Sequence, residues 1–305
     1  MYRRWISSAL AILVSIFLIA CSSATTQQPQ PQTPAITATP NNQQIAKRVV
    51  SLSSLATDII YQLDKTKLVG IAGNSLFKND PGFKDIPRVS EGQTPPSLEK
   101  IVALKPDLVI GIEGFSTQVI QRLQELKIPT LLTQLKTWDS LENLTQKIGD
   151  SIGANPEPLL TRYKSFLPEK QKQNISTLVL VSNQPILTPN KSSWAGNLLE
   201  KFQLKNVAAD LQGKSPFGGY VTLSAEKVLE VNPETIIVIN PPQAKSNKEI
   251  LESFSQEPFW QKLKATQNNR VYIFDYYGLV NPGSINAIEK ASQQLKKDLQ
   301  QFRLL

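Results

Sequence analysis

The sequence predicts an α/β protein built from two similar lobes, and three observations carry that prediction. One helix-strand unit occurs twice, as Ser97-Leu98-Glu99-Lys100-Ile101-Val102-Ala103-Leu104-Lys105-Pro106-Asp107-Leu108-Val109-Ile110 and as Ser224-Ala225-Glu226-Lys227-Val228-Leu229-Glu230-Val231-Asn232-Pro233-Glu234-Thr235-Ile236-Ile237. Short apolar runs alternate with amphipathic helical stretches along most of the chain, the pattern of a mainly parallel sheet. At 305 residues the chain is long enough for about two domains with a large core.

Each copy of the unit reads as a serine N-cap, a short helix with glutamate in its first turn, a stop at proline and a buried strand. The offset is constant at 127 residues (224 − 97), and Glu, Lys, Pro and the final Ile recur unchanged. That separation suggests two lobes rather than a short-period solenoid.

Composition narrows the function classes. Hydrophobic content of 40% and charge of 19% are those of an ordinary globular protein. A single cysteine excludes an intramolecular disulfide and a thiolate cluster. With no histidine, a His-based zinc site, a Ser-His-Asp triad and a Cys-His dyad are all excluded, leaving carboxylates, Lys or Tyr for any acid-base work. This argues against an enzyme. The net charge of +8 comes from scattered lysines, with no long basic run and no interleaved aromatics, so no nucleic-acid partner is expected. A positive balance can still assist capture of an anionic small molecule.

Taken in order, residues 1–21 read as a processing signal. Arg3 and Arg4 precede the apolar run Trp5–Ala20, which is short for a membrane span and ends in Leu18-Ile19-Ala20-Cys21. Those last four residues look like a bacterial lipobox, with Cys21 as the lipidated (palmitate-bearing) new N-terminus. Residues 22–44 are rich in Gln, Pro and Thr and carry no charge, so they read as a disordered tether that could extend roughly 70 Å. The folded part opens with strand Val49–Leu52, a loop over 53–58 and a helix from Ile59. Strands Lys67–Ile71, Leu108–Ile112 and Thr130–Leu132 follow, with helices Thr117–Leu126 and Leu141–Ile152 among them, giving a first lobe over 45–155. A basic helical stretch over 156–174 is the candidate connecting helix, and Pro168 is expected to kink it or end it early. The second lobe, 175–305, holds strands Thr177–Val181, Ile236–Ile239 and Val271–Phe274, helix Gly196–Phe202 and a long amphipathic helix Ser284–Phe302.

With both lobes laid out, the sequence resembles the solute-binding lipoproteins of ABC importers for iron-siderophores, haem and cobalamin, the FecB, FhuD and BtuF-like group. The resemblance spans Arg48 to Leu305. Its marks are Arg48-Val-Val-Ser-Leu-Ser-Ser-Leu-Ala-Thr-Asp, Leu98-Glu-Lys-Ile-Val-Ala-Leu-Lys-Pro-Asp-Leu-Val-Ile, and Asn206-Val-Ala-Ala-Asp followed by Leu223-Ser-Ala-Glu. It implies two Rossmann-like lobes joined by a single long helix, the class III periplasmic binding protein arrangement, with the ligand in the cleft between lobes. It implies a monomer in the cell envelope, partnered by an ABC permease dimer with its ATPase and by a small-molecule metal chelate. It also implies that Glu99 and Glu226, one per lobe, engage the permease. An acid in a first helical turn offsets the helix dipole by itself, about 0.3–1 kcal/mol, and the two roles are compatible.

In open α/β sheets, ligands meet the loops beyond the carboxyl ends of the strands. That rule nominates Ser53, Ser54, Thr57, Asn74, Gln93, Glu113, Lys136 and Trp138 in the first lobe. In the second it nominates Asn183, Trp194, Phe217, Tyr220, Asn240, and Tyr276 or Tyr277. Aromatic walls with a few amides and hydroxyls suit a bulky, partly apolar chelate. Trp260, at helical spacing in Pro258–Leu263, is assigned to the core. No direct metal site and no cofactor are expected, so iron would arrive already chelated. Cobalamin or haem in the same role, an envelope α/β enzyme, and a solute-sensing interaction protein are the alternatives.

Overall fold

A computed structural model describes residues 45–92, 94–169, 174–213, 215, 217–243 and 246–301. The signal segment with Cys21, the tether over 22–44 and the candidate Gln93 lie outside the described residues.

The first lobe alternates strand and helix: β1 (Val49–Ser51), α1 (Ser54–Asp64), β2 (Leu68–Ile71), α2 (Leu98–Ala103), β3 (Leu108–Ile112), α3 (Thr117–Glu125), β4 (Thr130–Thr133) and α4 (Trp138–Ile152). Each strand is carried back to the same end of the sheet before the next begins, so the order β2-β1-β3-β4 is parallel throughout. Helix α5 (Glu157–Phe166) leads to the second lobe. Of the described residues in the stretch 156–174 expected to connect the lobes, this is the helical part. Leu167 adopts φ −80° and ψ 151° ahead of Pro168, whose ring disfavours helical backbone in the residue before it.

The second lobe contains β5 (Ser176–Leu180), β6 (Ser182–Asn183), β7 (Ile186–Pro189), α6 (Trp194–Lys201), β8 (Lys205–Asn206), β9 (Tyr220–Leu223), α7 (Ala225–Val231) and β10 (Thr235–Asn240). It ends with α8 (Asn247–Ser255), α9 (Lys264–Gln267), β11 (Val271–Asp275), the short turn α10 (Tyr276–Leu279) and α11 (Ile285–Gln301). Its main sheet, β11-β10-β5-β8, is again parallel, and β6-β7-β9 form a small antiparallel sheet absent from the sequence reading.

Three helices begin earlier than apolar periodicity suggests. Ser53, Thr137 and Ser193 are the N-caps of α1, α4 and α6, where helical starts at Ile59, Leu141 and Gly196 were expected. Periodicity marks the buried face, whereas the first turn is set by the cap. Thr137 and Ser140 satisfy one another's backbone N–H reciprocally.

Residues alternate across each parallel strand, so both faces must be covered. Val50, Ile101 and Val109 form a cluster on one face of the first sheet, and Leu178, Val228 and Trp260 a cluster in the second lobe. Trp260 packs on Phe254 with ring centroids 5.6 Å apart, in the core as expected. The largest cluster is shared by both lobes, joining Val49, Ile110 and Trp138 to Trp194, Phe274 and Ile288 through Tyr163 and Phe166 of α5.

Candidate functional site

The repeated unit folds alike in both lobes. Ser97 Oγ accepts from the Lys100 N–H at 3.3 Å, and Ser224 Oγ from the Lys227 N–H at 3.2 Å. Ile101 and Val228, each four residues past its cap, are fully buried, which leaves Glu99 and Glu226 exposed. Hydrogen bonds from its own backbone N–H and from the Ser224 hydroxyl hold the Glu226 carboxyl below the usual range. Two short capped helices thus present one exposed acid each.

Where the lobes meet, one edge is sealed. Trp138 and Trp194 stack with centroids 6.0 Å apart and are 2% and 3% exposed. The Trp138 indole N–H donates to Glu142 and that of Trp194 to the Gly278 carbonyl, so both polar atoms are satisfied. The Trp138 backbone N–H donates to Asn197 Oδ1 at 2.8 Å, and Lys201 meets Asp139 at 2.8 Å. Both tryptophans were expected to line an open cleft. Because each is the first residue of a capped helix, its ring is instead directed into the junction between lobes.

A polar network binds α1, α5 and α11. Arg162 donates to Gln62, Asn286 and Glu289, and Gln62 donates to Asp58 Oδ1. Asp58 Oδ2 accepts from the backbone N–H of Ile285 at 2.6 Å, so a first-lobe carboxylate caps the last helix. Burial raises the Asp58 carboxyl above the usual range, opposed by these hydrogen bonds and by the Arg162 charge.

At the other edge a groove of about 600 Å³ remains open. Ser75 and Leu76, beyond the carboxyl end of β2, form one wall. Asn240–Pro242 and Asp275–Tyr277, at and just past the carboxyl ends of β10 and β11, form the other, and Ser284 with Asn286 and Lys290 of the first turns of α11 contribute as well. Ser75 Oγ and Tyr277 Oη lie 3.2 Å apart and link the two walls. Tyr276 and Tyr277 meet edge to face at 5.5 Å. Tyr220 lies close enough to Tyr276 that its phenol, already pushed up by burial, is raised further by its neighbour. Asn240 donates to Asn247 at 2.8 Å, while its Oδ1 is buried with no partner among the described residues.

Of the expected cleft residues, Asn240 and Tyr276 line this groove, with Tyr220 beside them. Asn74 precedes it and is occupied as the cap of the turn Ser75–Phe77. Ser53 and Thr57 are buried at the start of α1 with Ser54 half-buried, and Ser53 serves as the cap. Asn183 is spent on Ser253 and Glu257. Glu113, Lys136 and Phe217 are exposed at strand ends or loops outside the groove. Neither Arg48, on the Leu104 and Lys105 carbonyls, nor Arg88, on those of Phe77 and Phe83, lines it.

Sequence reasoning passed over Ser75, Asp275, Asn286 and Lys290. The last two follow the Pro282-Gly283-Ser284 break four residues apart, a helical spacing that was available to read. It also missed Phe115, which is 88% exposed just past β3. Among the described residues no group of three or more Cys, Asp or Glu could hold a metal ion, and no helix is long and apolar enough to cross a membrane.

Comparison with known proteins agrees with this architecture. Residues 49–277 match the family model described as periplasmic binding protein. An uncharacterized ABC transporter substrate-binding lipoprotein of Bacillus subtilis (strain 168), YvrC, is 25% identical over 270 residues, covering 83% of this chain and 81% of its own length. The Fe(3+)-citrate-binding protein YfmC of the same organism is 26% identical over 244 residues, covering 75% and 73%. The crystal structure of the periplasmic vitamin B12 binding protein BtuF of Vibrio cholerae superposes with a TM-score of 0.64 at 24% identity, over 84% of this chain and 97% of its own. At that identity the superposition speaks for the fold.

Proposed function

The chain belongs to the periplasmic binding protein family, and from that premise we propose that it captures an iron-siderophore-type chelate and delivers it to an ABC permease. The observation that carries the reading is the groove, which opens between the lobes at the carboxyl ends of β2, β10 and β11 and is walled by phenols, hydroxyls and amides. A site of that size and polarity suits the organic shell of a chelate rather than a bare ion. Relatives with an Fe(3+)-citrate-binding and a vitamin B12-binding name support a metal-organic ligand. Glu99 and Glu226 are the permease contacts in this reading, and Cys21 the lipid anchor that holds the protein at the membrane.

Two measurements test it. A bound chelate stabilises the folded state by mass action, so a ferric siderophore at about 100 times its Kd adds about 2.7 kcal/mol to the unfolding free energy. If ferric siderophores, haem and cobalamins all leave the melting temperature unchanged, the ligand assignment is wrong. Replacing both acids (Glu99→Ala with Glu226→Ala) is expected to abolish uptake in cells while ligand affinity stays within twofold. A loss of affinity instead would remove the docking role.

A further inference from the structure

We infer that the groove selects uncharged chelates over anionic ones, and that Asp275 sets this preference by neutralising Lys290. The inference rests on the binding-protein reading above and names the charge class its site accepts.

Asp275 and Lys290 are the charged side chains of the groove among the described residues, and Lys290 Nζ lies 2.6 Å from Asp275 Oδ2. The ammonium that an anionic ligand would seek is therefore already matched by a protein carboxylate, and an incoming anion meets that carboxylate at close range. Arginine is the side chain suited to reading carboxylates bidentately, yet none among the described residues lines the groove. Arg48 and Arg88 are turned to backbone carbonyls, Arg122 to Glu125, and Arg162 to Gln62, Asn286 and Glu289. Arg270 immediately precedes β11, at the opposite end of that strand from Asp275. Although the whole chain carries +8, the charged side chains of the groove among the described residues, Asp275 and Lys290, cancel.

What the groove does offer is neutral. The Asn240 amide nitrogen donates to Asn247, and its Oδ1 is buried with no donor among the described residues. The phenols of Tyr276 and Tyr277 can donate or accept. This constellation reads an uncharged chelate with amide or hydroxyl groups on its periphery.

The test titrates the full chain with an uncharged ferric trihydroxamate, cyanocobalamin and ferric citrate by calorimetry, at low and high ionic strength. At least one uncharged chelate is expected to bind with a salt-independent Kd, and ferric citrate at least about tenfold more weakly. Asp275→Asn frees Lys290 and is expected to raise the ratio of ferric citrate affinity to uncharged-chelate affinity about tenfold at low salt, shrinking at high salt. Adding Lys290→Gln to Asp275→Asn should return that ratio to the wild-type value. Preference of the wild type for ferric citrate, or an unchanged ratio in Asp275→Asn, overturns the inference and leaves the binding-protein reading standing. Failure of all three chelates to bind overturns the inference and, if haem fails as well, the chelate assignment on which it rests.

Discussion

At one edge of the interlobe junction Trp138 and Trp194 stack and are almost wholly buried, while at the other Ser75 and Tyr277 face each other beside a groove of about 600 Å³. Both edges are made from residues that follow strand ends, so proximity to a strand end does not by itself decide what is exposed. The difference lies in the backbone. At the sealed edge a capped helix of two turns or more follows each strand after four residues, with Thr137 and Ser193 as caps, and the first helical side chain is turned into the junction. At the open edge only short turns follow the strands, Ser75–Phe77 after β2 and Tyr276–Leu279 after β11. Tyr277 (φ −74°, ψ 134°) and Gly278 (φ 98°) break the helical turn after β11, which leaves the tyrosines half-buried along the groove. Gly278 has to be glycine there, since a Cβ would come 2.1 Å from the Ala287 carbonyl oxygen in a left-handed conformation. The sealed edge holds the lobes at a set distance, and the open edge leaves room for a ligand.

The largest effect is expected where the seal is broken. Trp194→Ala removes the stacked ring and leaves the Gly278 carbonyl without its indole donor. It should cost about 3–5 kcal/mol in urea unfolding. A loss under about 1 kcal/mol would mean that the tryptophans are not what holds the lobes together.

A middle-sized effect tests the capped helix that floors the open groove. The folded protein holds the Asp58 proton more tightly than the unfolded chain, because burial raises its carboxyl. The stability this group contributes is therefore complete below the ordinary aspartate value of about 3.9 and is lost as pH rises through the raised folded value. Asp58→Asn, which keeps an acceptor for Ile285, should flatten the fall in unfolding free energy above that pH. Parallel pH profiles of variant and wild type would assign the capping of α11 no titrating part.

The smallest effect belongs to the link across the groove. Tyr277→Phe deletes one partly exposed hydrogen bond to Ser75, worth about 0.5–1.5 kcal/mol. It should change ligand dissociation more than stability, as seen by stopped-flow fluorescence. Unaltered dissociation would make the pair a resting contact rather than part of the ligand's enclosure.

Much of the fold was legible because it is local. Strands β3 and β10, their preceding capped helices and the long last helix follow from periodicity, serine caps and proline stops. The site was legible only in part. Asn240 and Tyr276 were reachable by the strand-end rule, whereas Trp138 and Trp194 are turned inward because their helices start three and two residues earlier than periodicity suggests. The cap Thr137 with Ser140 three residues on was the overlooked signal.

By itself the sequence determined the repeated acid-bearing unit, the absence of histidine chemistry and the alternation that makes two parallel sheets. These depend on residue type and on neighbours within a few turns. Tertiary structure alone decided which strand ends converge, that α11 floors the groove, and that Asp58 caps a helix 227 residues further along the chain. Such pairings leave no periodic trace, because their partners become neighbours only when both lobes close over one shared core.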